Sequence, residues 1–242
     1  MNRGTGVDAL LVLGVPAVAS GVLAVALAPT VTIGAVTIAA GLAVPAAAAA
    51  AVLRRRPRVV TPADRVTLAR VALTGVVSAG VVLVLSGAVP ARTWTVAAVV
   101  GLALLLDAVD GWVARRTGTA SPAGARFDLE SDAAALLVLS VLAAVTVGWW
   151  VLAIGLMRYA YVAASWLRPA LRSELAYSQF RRIVAGVQGV ALLVALLPAT
   201  PVPVAVGTPA VALVLLVASF ARDVVGQERH RAGVSRDHGL RG

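Results

Sequence analysis

The chain contains neither cysteine nor lysine. Without cysteine there is no disulfide framework, no thiolate-ligated zinc or iron–sulfur centre and no thiol nucleophile. Without lysine all 21 basic residues are arginine, which points to genomic base composition and carries no mechanism by itself. Charge as a whole is scarce: 13% of residues are charged and only 11 are acidic, far from the composition of a soluble domain. What fills the chain is apolar, 60% of its residues with a mean hydropathy of +0.92, so its solvent is lipid. The net charge of +10 would suggest nucleic acid in a soluble protein. No basic and aromatic surface pattern accompanies it, and in a membrane protein such an excess marks cytoplasmic loops and anionic head groups. No nucleic-acid partner is expected.

A helix crosses the bilayer core with about 20 apolar residues. Eight such stretches follow one another between Arg, Pro and Gly clusters: Asp8 to Ala28, Val31 to Leu53, Val66 to Leu85, Trp94 to Val113, Asp128 to Val147, Trp149 to Trp166, Ile183 to Leu197 and Pro209 to Ala221. The first is long, has one Arg before it and runs directly into a second span, so it is read as retained rather than as a cleaved signal peptide. Arg3, the cluster Arg54 to Arg58, Arg115, Arg116, Arg126, Arg168, Arg172, Arg181, Arg182 and the tail from Arg222 fall on alternate turns, and the opposite turns hold only Arg92. Positive charge stays inside, which puts both termini and the Arg-rich turns in the cytoplasm of a multi-pass protein of the cell (inner) membrane. All five Trp residues lie near span ends, as an aromatic belt does. The expected fold is an all-α polytopic membrane helical bundle. Its expected parts are an N-terminal addition with two transmembrane helices (1–58), a six-span catalytic domain (59–225) and a polar basic C-terminal tail (226–242). No internal repeat is visible.

Carboxylates inside membrane helices are costly and point to function. Asp107 and Asp110 are three apart near the inner end of one span, and Asp128 and Asp132 are four apart at the start of the next. Each pair shares a helix face, and the short connection makes the two helices antiparallel neighbours, so all four acids can converge just inside the cytoplasmic interface. Bare, they would repel one another and require cations. Oxygen ligands without His or Cys select hard metals, so Mg²⁺ or Mn²⁺ is expected, and four carboxylates can bracket two ions. Hydrogen bonds between protonated acids, or pairing with Arg115 and Arg126, would be purely structural alternatives. Gly111, Ala114 and Gly124 are small residues that let a base and a pyrophosphate approach the backbone, and Arg115 can answer phosphate charge. Upstream, Asp64, Thr67 and Arg70 recur at spacings of three on one face of a helix that starts at Pro62.

The string Asp107-x-x-Asp110-Gly111-x-x-Ala114-Arg115, eight residues, Gly124-x-x-x-Asp128-x-x-x-Asp132 resembles the motif of the CDP-alcohol phosphotransferase family at all its fixed positions. The six-span layout from about Val59 to Val225 is similar as well, and Thr61 to Arg70 looks like the family's helix entering its first span. The first 53 residues lie outside the pattern. The resemblance implies a six-helix membrane fold, a homodimer and a polar cavity open to cytoplasm and lipid. By the same resemblance Asp107, Asp110 and Asp128 would ligate metal, and Asp132 would stand near them as the base that deprotonates an acceptor hydroxyl. Gly111, Ala114, Arg115 and Gly124 would shape the CDP site, with Thr67 and Arg70 as further candidates; Asp64 stands where many members have Asn. The implied donor is CDP-diacylglycerol and the leaving group CMP, in phospholipid biosynthesis.

Candidate contacts to the alcohol acceptor are Arg158, inside its span beside Tyr159 and Tyr161, and Arg181 and Arg182 at the next span's entrance. Relatives that accept glycerol phosphate are expected to carry a Lys-rich segment with Thr before Gln188, where this chain reads Arg182-Ile183-Val184-Ala185-Gly186-Val187-Gln188. Glycerol phosphate, an inositol compound, serine and other lipid alcohols remain open as acceptors. Two competing classes are an intramembrane prenyltransferase, whose acidic motifs normally sit in separate halves of the chain, and a cation transporter, for which broken helices or inverted repeats would be expected.

Overall fold

The computed structural model describes the backbone of residues 3–54, 60–117, 121–167 and 179–239; side chains at 3–6, 9, 110–112, 114–115, 117, 122, 167, 179–182 and 223–239 are outside that description. Eight α-helices are seen among the described residues, with no strand: α1 (Arg3–Leu27), α2 (Val31–Arg54), α3 (Pro62–Leu85), α4 (Trp94–Thr117), α5 (Pro122–Val147), α6 (Leu152–Leu167), α7 (Gln179–Leu196) and α8 (Val202–Gly239). A 3-10 turn, Trp149–Val151, joins α5 to α6. Five of the helices are long and apolar enough to cross a membrane, and Trp94–Val109 and Ile183–Leu196 are shorter apolar stretches. The chain is a multi-pass helical membrane protein. All eight expected spans coincide with helices. The last differs most in its ends, because Pro209 lies inside α8 rather than at its start and the helix carries on through the basic tail. Proline inside a membrane helix is tolerated when neighbouring groups satisfy the freed carbonyl.

Local chemistry sets the helix starts that matter for the site. Thr61 caps α3: its hydroxyl accepts from the Asp64 N–H at 3.1 Å while Asp64 Oδ2 accepts from the Thr61 N–H at 2.9 Å, and Pro62 occupies the first turn. Ser121 does the same for α5, accepting from the Gly124 N–H at 3.0 Å ahead of Pro122. At its far end α5 stops at Gly148, whose φ of 104° only glycine adopts without strain, with the Trp150 ring folded against it.

α3 is the axis of the bundle. One side packs on α4 and α5, and α1 and α2 cover another. The α1–α2 pair is docked through small residues: a Cβ at Gly75 would lie 2.5 Å from the Gly41 carbonyl oxygen and 2.7 Å from Pro45 Cγ, and Pro16 is next nearest. Such close backbone approach is how helices associate in lipid, where burial of apolar surface gives no drive. Val12, Ala48, Ala49 and Val52 then pack with Leu68, Val71 and Ala72 of α3 and Phe127 of α5. Val71 follows Arg70 and Phe127 precedes Asp128, so α1 and α2 pack beside the backbone that carries Arg70 and Asp128. A larger apolar cluster, centred on Leu142, Val100, Leu192 and Leu196, ties α3, α4 and α5 to α7 and α8. Within it the fully buried Gln188 donates from Nε2 to the Ala212 carbonyl at 3.0 Å, linking α7 to α8. In the turn between α3 and α4 Arg92 donates to the Leu197 carbonyl, 3.1 Å from Nε, and also to the Thr200 carbonyl. It closes the C-terminal end of α7, which gives the lone basic residue of the Arg-poor turns a structural task.

Candidate active site

Asp107 projects from α4, and Asp128 and Asp132 from the first turns of α5. One carboxylate oxygen from each lies within 4.8 Å of the others. Between them sits Arg70 of α3. Its Nη2 is 2.6 Å from Asp128 Oδ1 and 2.7 Å from Asp132 Oδ1, and its Nη1 contacts Asp107 Oδ1. The burial is unequal: the Arg70 side chain is 3% exposed, whereas the three acids are 38–42% exposed. The guanidinium is therefore held on the protein side of the cluster while the carboxylates face open space. One positive charge against three negative ones leaves the cluster net anionic.

That space is a cavity of about 530 Å³, with Arg70, Asp107, Asp128 and Asp132 in its lining. Val77, Val100, Leu104, Leu136 and Leu139 continue the lining. By helix register they lie about one to three turns along their helices from Arg70 and the acids, so the cavity is charged at one end and apolar beyond. Ala185, Gly186 and Gly189 of α7 complete the wall, and a Cβ at Gly189 would meet Leu104 Cδ2 at 2.6 Å.

The remaining expected site residues divide into three groups. Asp64 and Thr67 are buried at the start of α3; Asp64 serves the Thr61 cap, and the Thr67 hydroxyl donates to the Ala63 carbonyl at 3.2 Å. Gly124 adjoins them, since a Cβ there would stand 3.8 Å from Asp64 Oδ1 and 3.1 Å from Ser121 Oγ. Asp110, Gly111, Ala114 and Arg115 fall in α4, and Arg181 and Arg182 in the first turn of α7, with side chains outside the described residues. Arg158 is a different case. It pairs with Glu130 of α5, Nη2 to Oε1 at 2.5 Å, and is not part of the cavity lining among the described residues. Glu130 lies between Asp128 and Asp132 in sequence but on another face of α5, which is the signal that this pairing was available.

Sequence reasoning missed the role of Arg70 as the partner of the acids, having weighed Arg115 and Arg126 for it. The spacing of Asp64, Thr67 and Arg70 marks one face of α3 with Arg70 on it, and the packing of that helix against α4 and α5 brings Arg70 to the acids.

The family model for CDP-alcohol phosphatidyltransferases matches residues 60–221, covering α3 to α7 and the membrane part of α8. The chain belongs to that family of transferases, whose members transfer a phosphatidyl or related group from a CDP-alcohol. α1 and α2 precede the matched region. No curated protein matches the chain, and no solved structure does.

Proposed function

We propose that the protein transfers the phosphatidyl group of CDP-diacylglycerol to the hydroxyl of an alcohol acceptor and releases CMP, at the cytoplasmic side of the cell (inner) membrane. The observation that carries this reading is the convergence of Asp107, Asp128 and Asp132 within 4.8 Å at the mouth of a cavity whose deeper wall is apolar. A CDP-lipid has a matching division into a charged head and hydrocarbon tails. Family membership favours it over the prenyltransferase and transporter readings.

The donor set suits Mg²⁺ or Mn²⁺: it offers carboxylate oxygens only, they open onto the cavity, and their charge exceeds what Arg70 neutralises. Asp107, Asp128 and Asp132 would hold such an ion, with Asp110 as the fourth acid of the motif and a second ion accommodated by four carboxylates. A bound divalent ion would supply charge stabilisation to the pyrophosphate oxygens.

This chain's own residues then have separable tasks. Gly111, Ala114 and Gly124 leave room for the cytidine and the pyrophosphate, and Arg115, Thr67 and Asp64 add polar contacts to the nucleotide. Asp132 takes the proton of the acceptor hydroxyl as its oxygen bonds to the lipid-side phosphorus. The bond from that phosphorus to the bridging oxygen breaks, and CMP departs with the electron pair. Arg158, Arg181 and Arg182 are acceptor-side candidates, with Arg158 acting from its pair with Glu130. A homodimer is the proposed assembly.

The experiment incubates purified protein with radiolabelled CDP-diacylglycerol, Mg²⁺ or Mn²⁺ and a panel of alcohols. Metal-dependent CMP release together with a new lipid product supports the reading and names the acceptor. A protein that binds metal and releases no CMP with any acceptor would remove it.

A further inference from the structure

We infer that Arg70 is a built-in counter-cation that competes with divalent metal for the carboxylate cluster, so that this one side chain sets how tightly the metal-free enzyme takes up its ion. The inference rests on the reading of Asp107, Asp128 and Asp132 as a metal site.

The geometry makes the competition direct. Nη2 of Arg70 engages Oδ1 of both Asp128 and Asp132, and Nη1 engages Oδ1 of Asp107. One oxygen from each of these carboxylates also makes up the group that could enclose an ion. Hard divalent cations demand those oxygens at close range, and a guanidinium held against them must withdraw. The charge itself does not go away, because a guanidinium stays cationic in proteins. Nor is the backbone free to carry the charge away. The Arg70 carbonyl accepts from the Thr74 hydroxyl at 3.1 Å within α3, and Val71 is packed by the α1–α2 pair. Displacement therefore falls to the side chain.

The unequal burial gives the exchange a direction. Arg70 is enclosed on the protein side, and the acids are open toward the cavity. An ion arrives from the cavity, whose lining includes Arg70 itself, and the guanidinium gives way to it. Before the ion arrives, Arg70 prevents three neighbouring carboxylates from repelling one another. The cost of that service is a weakened first metal-binding step.

Mn²⁺ titration monitored by electron paramagnetic resonance, on full-length protein in detergent without nucleotide, tests this with wild type, Arg70→Gln and Arg70→Lys. Loss of a contact cation from a partly enclosed anionic site is worth at least about tenfold in cation affinity, so Arg70→Gln should bind Mn²⁺ tighter by that factor or more. Arg70→Lys keeps the charge but has one compact ammonium in place of the fork that spans three carboxylates, and should tighten binding by a smaller factor. Thermal unfolding supplies a second readout: Mn²⁺ should raise the melting temperature of Arg70→Gln more than that of wild type. Should the Gln variant fail to fold even with Mn²⁺, the Lys variant decides the matter alone. Wild-type binding with equal or weaker binding by the folded variants overturns the competition and leaves the proposed function standing. No Mn²⁺ bound by any of the proteins overturns the metal reading and this inference with it.

Discussion

Asp132 Oδ1 lies 2.7 Å from Nη2 of Arg70, the same nitrogen that approaches Asp128 Oδ1 at 2.6 Å. A single donor group thus joins the last two acids of the motif, which sit one turn apart on α5. The acid proposed as base and an acid proposed as metal ligand share one counter-charge. Any substitution at one of them changes the electrostatics of the other, and single-site effects here will not add.

The first prediction concerns the ligands. Asp107→Asn and Asp128→Asn each remove one negative charge from a set that opens onto the cavity, while keeping side-chain size. The metal concentration needed for half-maximal CMP release should rise at least about tenfold in each, and turnover at saturating metal should fall as well. Wild-type turnover with an unchanged metal titration would sink the assignment of these residues.

Much of this arrangement was legible in the sequence, for physical reasons. Membrane helices must be long and apolar, so each of the eight apolar stretches coincides with a helix, five of them long and apolar enough to cross a membrane, and acids in such helices are rare enough to single out Asp107, Asp128 and Asp132. Arg70 was visible as a residue but not as their partner. Helical periodicity gives the face of a residue and not which neighbouring helix that face meets. The docking of α1 and α2 on α3 was hidden for the same reason: it depends on Gly41, Gly75, Pro16 and Pro45 meeting across helices, and isolated small residues carry no pairing code. Arg92 was legible only as an exception to charge asymmetry, until its contacts with the Leu197 and Thr200 carbonyls supplied a reason for it.

A second prediction contrasts two glycines of α3. At Gly75 an added methyl meets the backbone oxygen of Gly41 at 2.5 Å, an atom that cannot yield without separating α2 from α3. Nothing stands within 4 Å of the corresponding position at Gly80. Gly75→Ala should therefore lower stability by about 1–3 kcal/mol through overpacking. Gly80→Ala should be neutral or stabilising by up to about 1 kcal/mol through helix propensity. Thermal unfolding of both in the same detergent checks the difference, and equal shifts would contradict the close contact of the added helices with α3.

Topology gives a third. With no native cysteine in the chain, a single introduced thiol reports its own side of the membrane. Ala88 is exposed in the turn between α3 and α4, and Ala125 is exposed near the start of α5. An impermeant maleimide applied to intact cells should label Ala88→Cys and spare Ala125→Cys until the cells are opened. The reverse pattern would invert the orientation inferred from the arginines.

The last prediction separates base from ligand at Asp132. An alcohol hydroxyl has a pKa far above neutrality and attacks phosphorus poorly unless a positioned group takes its proton, help that is worth about 10² to 10⁴ in rate. Asp132, the proposed base, lies one turn further along α5 than Asp128 and lines the cavity with it. Asp132→Asn preserves its size and its capacity to accept a hydrogen bond but cannot accept the proton. The variant should bind metal and CDP-diacylglycerol within about tenfold of wild type and lose at least about 10² in turnover. If Asp132 served chiefly as a metal ligand, affinity for the ion would fall in step with rate. Calorimetric metal titration beside a CMP-release assay distinguishes the two, because a base affects only the second measurement and a ligand affects both. A parallel collapse would make holding the ion the chief role of Asp132 and leave the proton to another acceptor in the cavity.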